Sequence, residues 1–361
     1  MAIHVCLLLY ISALGAFLFR KKPYTKSKNR WFVLFSFLAV FVVQALRGVT
    51  VGLDTDQYVL AFHNAHYGLY SKRWEPIFLL LIRSTARMSE HEQLFLAAYS
   101  FLILLGLGIF IVENTEEHES TFWPVFLFVV LTQYFSTMNL LRQSLAMAVG
   151  CNIFTVLKRG TDIKRIIIAA LLAVLTYMCH KSGIVLVLLC IPFFINVNKM
   201  IIVIEFLAGL SVYYIYPIML RVFLIFLPAY ARYIGGKLDL AGSSGVYFLF
   251  AAIEVFIMIL YLIYINPEEE KNQTSYRELF IVLMSFALIV LQRRISLAMR
   301  LGYYFELFLI LLIPEFVSKW SKTSTRIVMR MGLYGLGWAY YIYSMTVSNA
   351  RGCVPYKFFW Q

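Results

Sequence analysis

Apolar runs of about 17–20 residues recur along this chain, from residues 2–19 to 327–347. A hydrocarbon core about 30 Å thick needs a helix of about that length. Lipid offers the backbone no hydrogen-bond partner, so each run must close its own bonds as a helix. Of the 361 residues, 61% are hydrophobic and only 14% are charged, less charge than a soluble domain ordinarily carries. No stretch between the runs is long and polar enough for a soluble domain. The expected fold is an all-α integral membrane bundle, with residues 1–361 forming a single transmembrane domain.

Several classes fall away at this point. The net charge of +13 is dispersed between spans, which fits positive-inside bias and an anionic lipid or substrate, and makes nucleic acid an unsuitable partner. The cysteines (Cys6, Cys151, Cys179, Cys190 and Cys353) have no metal-ligand spacing, so neither a metal nor a disulfide framework is expected. No phosphate-loop or dinucleotide fingerprint is present, and no cofactor is implied. "GLYGLGW" (332–338) sits inside an apolar run and reads as close helix packing. The first run lacks a basic segment before it and reads as a span rather than a cleaved signal.

Charge sets the topology. "RKKPYTKSKNR" (20–30) carries six Lys/Arg and should be cytoplasmic. The long segment 47–92 then lies outside. Within it, residues 76–88 are too short for a crossing and contain Arg83 and Arg87, as in a re-entrant or interfacial segment. Keeping 76–88 from crossing also makes "KRGTDIKR" (158–165) and "SKWSKTSTRIVMR" (318–330) cytoplasmic. The expected spans are 2–19, 31–46, 93–112, 122–138, 140–157, 164–180, 183–196, 200–220, 246–265, 278–292, 300–317 and 327–347. These twelve place both termini outside. Asp54, Asp56, Tyr58, Arg73, Glu75, Arg142, His180, Arg232, Lys237, Arg293, Arg294 and Arg300 then share the outer side. So much external arginine calls for an external anion.

Four stretches could carry chemistry. In "TMNLLRQSLAMAVG" (137–150), Asn139, Arg142, Gln143, Ala146 and Gly150 share one helical face, a polar head above small residues that suits a cavity or a close helix neighbour. Arg142 could grip phosphate oxygens bidentately or snorkel to lipid headgroups. "YMCHKSGIVLV" (177–187) places His180 at a turn with Ser182 and Gly183. Imidazole suits general-base work near neutral pH, although a turn histidine bonded to a carbonyl reads as well. The acidic pair Asp54 and Asp56 in "GLDTDQY" (52–58) resembles the acidic motif in the first external loop of many polyprenyl-phosphate-dependent glycosyltransferases, which implies a base, metal ligand or sugar-hydroxyl acceptor, and it reads equally as a plain helix start. Glu75 in "KRWEP" could pair with an external arginine, accept from a sugar hydroxyl, or simply precede a helix. In "RRISLAMRLGYYFE" (293–306), Arg300, Tyr303 and Tyr304 suit a phosphosugar, as they would an aromatic belt. Glu254 and Glu306, inside spans, are read as structural.

These stretches occur in an order that resembles the EpsG family of exopolysaccharide biosynthesis proteins, which fill the role of Wzy-type repeat-unit polymerases. "GLDTDQY", "WEPIFLLL", "LLRQSLAMAV", "LTYMCHKSGIVL", "AMRLGYYF" and the closing "VPYKFF" carry the resemblance over most of the chain. It implies a multi-pass enzyme of the bacterial cytoplasmic membrane that joins undecaprenyl-pyrophosphate-linked oligosaccharides on the outer leaflet. Such a polymerase would make exopolysaccharide, capsule or O-antigen, with a flippase and a chain-length regulator of the same pathway as partners. On that resemblance His180, Asp54 and Glu75 are the candidate catalytic groups. Arg142, Gln143, Arg300, Tyr58, Asp56, Ser182, Tyr303 and Tyr304 are the candidate binding groups. A polyprenyl-phosphate-sugar glycosyltransferase would instead make Asp54 and Asp56 the base. A flippase would need a matching cluster on the cytoplasmic side, and an O-acetyltransferase an acyl-donor site there; neither is seen in the sequence.

Overall fold

A computed structural model describes residues 1–71, 74–116, 119–226, 245–295 and 297–361. Among them the regular structure is helical, and the only pairing of strand type is an isolated bridge between Arg47 and Phe358. The α-helices are α1 Ala2–Leu18, α2 Lys26–Ala45, α3 Thr55–His66, α4 Pro76–Met88, α5 Glu92–Asn114, α6 Phe122–Val130, α7 Gln133–Asn139, α8 Leu141–Gly150, α9 Asn152–Lys158, α10 Ile163–Cys179, α11 Ile191–Phe194, α12 Lys199–Phe226, α13 Gly245–Tyr264, α14 Glu270–Gln292, α15 Leu297–Glu306, α16 Leu309–Ser318 and α17 Thr323–Val347. A 3-10 helix, Lys181–Cys190, links α10 to α11.

Four of these, Lys26–Ala45, Glu92–Asn114, Lys199–Ile218 and Asn272–Gln292, are long and apolar enough to cross a membrane; the pair Ala298–Glu306 and Leu309–Ser318, bent by 40°, adds a fifth if it is one span. The protein is therefore an α-helical membrane protein. The chain forms two compact units, one of Met1–Val187 with Val317–Gln361 and one of Leu188–Phe316. In the second, α14 packs on α12, α13 and α15.

Several expected spans are interrupted. Thr132 adopts a left-handed conformation (φ 67°) between α6 and α7. Leu140 (φ −103°, ψ 55°) separates α7 from α8, and Cys151 separates α8 from α9. Irregular backbone at membrane depth is tolerated where protein, not lipid, surrounds it. That condition holds here, because Pro124–Val130 and Gln133–Asn139 are buried throughout. The broken helices form the interior of the first unit.

Segment 76–88 is the amphipathic helix α4. Pro76 occupies its first turn, and Phe78, Ile82, Thr85 and Ala86 are buried on one face while Leu80 and Met88 are exposed. At one end of the unit, Gln93 Nε2 at the start of α5 donates to the carbonyl of Arg47 just after α2 (3.3 Å). At the opposite end Lys26, which opens α2, pairs with Glu113, which closes α5 (2.9 Å). The chain thus leaves α2 and enters α5 at the same end, and α4 does not traverse the unit. The second end gathers the basic loops: Arg159 also pairs with Glu113 (2.5 Å), and Arg330 with Glu119 (2.8 Å).

Cysteines introduced at Ser71 and Glu90 in a cysteine-free background should both react with an impermeant reagent from one side of the membrane, and a cysteine at Lys21 only from the other. Labelling of positions 71 and 90 from opposite sides would show that α4 crosses.

Candidate functional site

Three breaks in regular structure converge at the end of the first unit away from the basic loops. α8 starts afresh after Leu140, which brings Arg142 into its first turn. α10 stops at Cys179, where His180 turns extended (φ −159°, ψ 128°) and its carbonyl accepts from Gly183 N (2.8 Å). α4 begins after Glu75, which is extended ahead of Pro76. Small residues draw α8 and α10 together. A Cβ on Gly183 would lie 2.7 Å from Thr176 Cγ2 and 3.1 Å from Ala146 Cβ, and one on Gly150 would strike Leu186 and Thr176. The stripe of small residues beneath Arg142 is a close helix contact.

The Glu75 carboxylate lies between the other two groups and is only 4% exposed. Its Oε2 accepts from Arg142 Nη1 at 2.8 Å, and its Oε1 meets His180 Nδ1 at 2.8 Å. The Lys181 backbone N–H approaches Oε1 at 3.5 Å. Burial alone would push the Glu75 carboxyl up. The hydrogen bond from His180 and the charge of Arg142 outweigh it and hold the group at about 2. Glu75 is therefore a carboxylate and can only accept, so His180 Nδ1 carries the proton between them, and in a neutral imidazole Nε2 is then the nitrogen with the lone pair. An imidazole oriented and polarised in this way is a poised general base.

Arg142 is held from several sides. Its guanidinium also hydrogen-bonds Tyr58 and lies 5.4 Å above the Phe78 ring. Among the described residues its Nε is buried without a partner. The Tyr58 phenol is pushed up by burial, pulled back by Arg142 and raised further by Asp54, so it stays a neutral hydroxyl. Asp54 precedes α3 without capping it through its side chain. Asp56 is exposed in the first turn, where Oδ1 accepts from Gln57 N (2.8 Å).

The loop carrying these acids is tied down from below. Asn139 Oδ1 accepts from Leu53 N, and its Nδ2 reaches Cys353 Sγ (3.4 Å). Gly52 N donates to the Gly352 carbonyl (2.9 Å). His4, fully buried, bonds the Cys353 carbonyl through Nε2 (3.0 Å) and Tyr134 through Nδ1 (3.2 Å). Arg47, also fully buried, donates to the carbonyls of Gln44 and Met138. The sequence reading passed over His4, Arg47 and Phe78. "VPYKFF" is the one signal in it that touches this C-terminal tie.

Of the expected site residues, Tyr58, Glu75, Arg142 and His180 meet directly and Asp54 stands beside Tyr58. Ser182 follows in the first turn of the 3-10 helix, and Gln143 is buried in α8. Arg300, Tyr303 and Tyr304 belong to α15 of the second unit, with Arg300 exposed and both tyrosines buried. Arg293 and Arg294 are exposed in that unit too, Arg294 over the Tyr213 ring at 4.0 Å. Arg73, Arg232 and Lys237 lie outside the described residues.

The chain belongs to the EpsG family, whose family model matches residues 30–358. No curated protein and no solved structure matches it. Family and fold together make it a membrane protein of exopolysaccharide biosynthesis.

The Glu75 pairing has a pH signature. A depressed carboxyl contributes stability that is complete above its ordinary value near 4.5 and is lost as pH falls toward about 2. The Tm difference between wild type and Glu75→Gln should shrink as pH falls below about 4.5. A difference that persists unchanged to pH 3 would mean that Glu75 is not an ionised, paired group.

Proposed function

We propose that this EpsG-family protein is a repeat-unit polymerase of the bacterial cytoplasmic membrane. It joins undecaprenyl-pyrophosphate-linked oligosaccharides on the outer face, through twelve spans that leave both termini outside. The observation that carries this reading is the Glu75 carboxylate shared between a guanidinium and an imidazole, at the end of the first unit opposite the basic loops. Positive-inside bias makes that basic end cytoplasmic, so the constellation faces out, where a lipid-linked donor would present its pyrophosphate at the headgroup level.

The chemistry needs two services. Pyrophosphate is already a good leaving group, so its developing charge must be held, and the acceptor sugar hydroxyl must lose its proton. Arg142 supplies a planar cation matched to phosphate oxygens. His180 Nε2 takes the hydroxyl proton as the acceptor oxygen bonds to the anomeric carbon. The bond from that carbon to the pyrophosphate oxygen breaks, and undecaprenyl pyrophosphate departs with the electron pair. Glu75 orients the imidazole and offsets the positive charge it gains. Tyr58 braces Arg142 from the loop that Asn139 and the C-terminal tail hold in place. Other subunits of the pathway, a flippase to deliver the donor and a regulator of chain length, complete the expected partners.

The position of Asp54 beside Tyr58 supports a second reading, a polyprenyl-phosphate-sugar glycosyltransferase with the Asp54/Asp56 pair as base. The two readings differ in which substitution stops the reaction.

With lipid-linked repeat units as substrate, His180→Ala should insert normally and polymerise about 10²- to 10⁴-fold more slowly, the usual cost of losing a general base. Arg142→Lys, which keeps the charge but loses the fork, should also be severely impaired, while Asp54→Asn retains most activity. Near-normal turnover by His180→Ala with an inactive Asp54→Asn would move the base to Asp54.

A further inference from the structure

The Glu75–Arg142 contact bears on how the donor gains entry, on the reading that Arg142 holds the donor's pyrophosphate. One carboxylate serves two partners through separate oxygens, each at 2.8 Å. An anion arriving at Arg142 meets a guanidinium whose Nη1 already faces a carboxylate that is 4% exposed. Two anions crowded on one cation repel, and the cost grows with burial. The two ends of Glu75 are not equivalent. Oε1 serves His180 and is approached by the Lys181 N–H, whereas Oε2 accepts from Arg142 Nη1. Arg142 has capacity to spare, since its Nε is buried without a partner among the described residues. It also stays anchored by Tyr58 and by the Phe78 ring when Glu75 lets go.

We propose that Glu75 is a resident stand-in for the donor's phosphate, holding Arg142 in the substrate-free protein and yielding it when pyrophosphate binds. The exchange leaves the Glu75 charge to His180 and the Lys181 N–H. Donor binding thereby strengthens the base at the moment an acceptor can be used, and an empty site keeps the pair locked. Glu75 is then a positioning residue with opposite effects on binding and on turnover, which a merely structural carboxylate would not have.

The test is the affinity of the purified full-length protein for inorganic pyrophosphate, measured by calorimetry at fixed ionic strength, together with polymerisation kinetics. Removing the competitor should tighten pyrophosphate binding about tenfold in Glu75→Gln, a modest share of the couplings measured between close charge pairs. Turnover should fall in the same variant because His180 loses its orienting partner. Glu75→Ala serves as a second variant if the amide perturbs the fold, with the same expected gain. Arg142→Gln should abolish the binding. Equal or weaker binding by both Glu75 variants, with wild-type binding still dependent on Arg142, would overturn the exchange and leave the polymerase reading standing. Binding that is indifferent to Arg142→Gln would overturn both.

Discussion

A single buried carboxylate decides how the end of the first unit away from the basic loops is built. Glu75 is ionised in a place where an uncompensated charge would be costly, so it must be met by Arg142 and His180 together. Those partners are 67 and 105 residues further along the chain. Bringing them to one point requires α4 to stay at the end of the unit, α8 to begin at that depth, and α10 to stop there. Each requirement is satisfied by a local irregularity: Pro76 after Glu75, the break at Leu140, and the extended residue His180 followed by a 3-10 helix.

The irregularities are possible because the helices that carry them are enclosed. Pro124–Val130 of α6 and all of α7 are buried, so a left-handed Thr132 and a reset at Leu140 cost little exposure of backbone to lipid. The same enclosure lets Asn139, His4 and Arg47 fasten the C-terminal tail and the 52–58 loop to one another. Four successive residues of that tail, Asn349 to Gly352, lie in the left-handed region, a conformation that persists only where its surroundings over-determine it. The tail works as the floor of the loop that delivers Tyr58 to Arg142.

Much of this was legible in the sequence, for reasons that are physical. The apolar runs mark helices because lipid allows nothing else. The shortness of 76–88 and its two arginines separate it from the spans. Arg142 above Ala146 and Gly150 points to a polar group over a close helix contact, and the structure supplies that contact through Gly183, Thr176 and Leu186. Other features were not legible. The helix breaks at Thr132 and Leu140 have no Pro or Gly beside them to announce them; they depend on tertiary surroundings. The choice among the roles open to Glu75 depends on a distance between remote segments, which no spacing encodes. The phosphosugar reading of Arg300, Tyr303 and Tyr304 rests on residue type, one-turn spacing and the family resemblance of the "AMRLGYYF" segment, and these residues belong to α15 of the second unit.

The central claim is that Glu75 acts on the reaction through His180. A double-mutant comparison of turnover addresses it most directly, because groups that act as one unit lose activity non-additively. Turnover at saturating donor should fall in Glu75→Gln and fall further in His180→Ala, and the double variant should be no slower than His180→Ala alone. Losses that multiply in the double variant would show that Glu75 and His180 act independently, and would contradict the shared-carboxylate account.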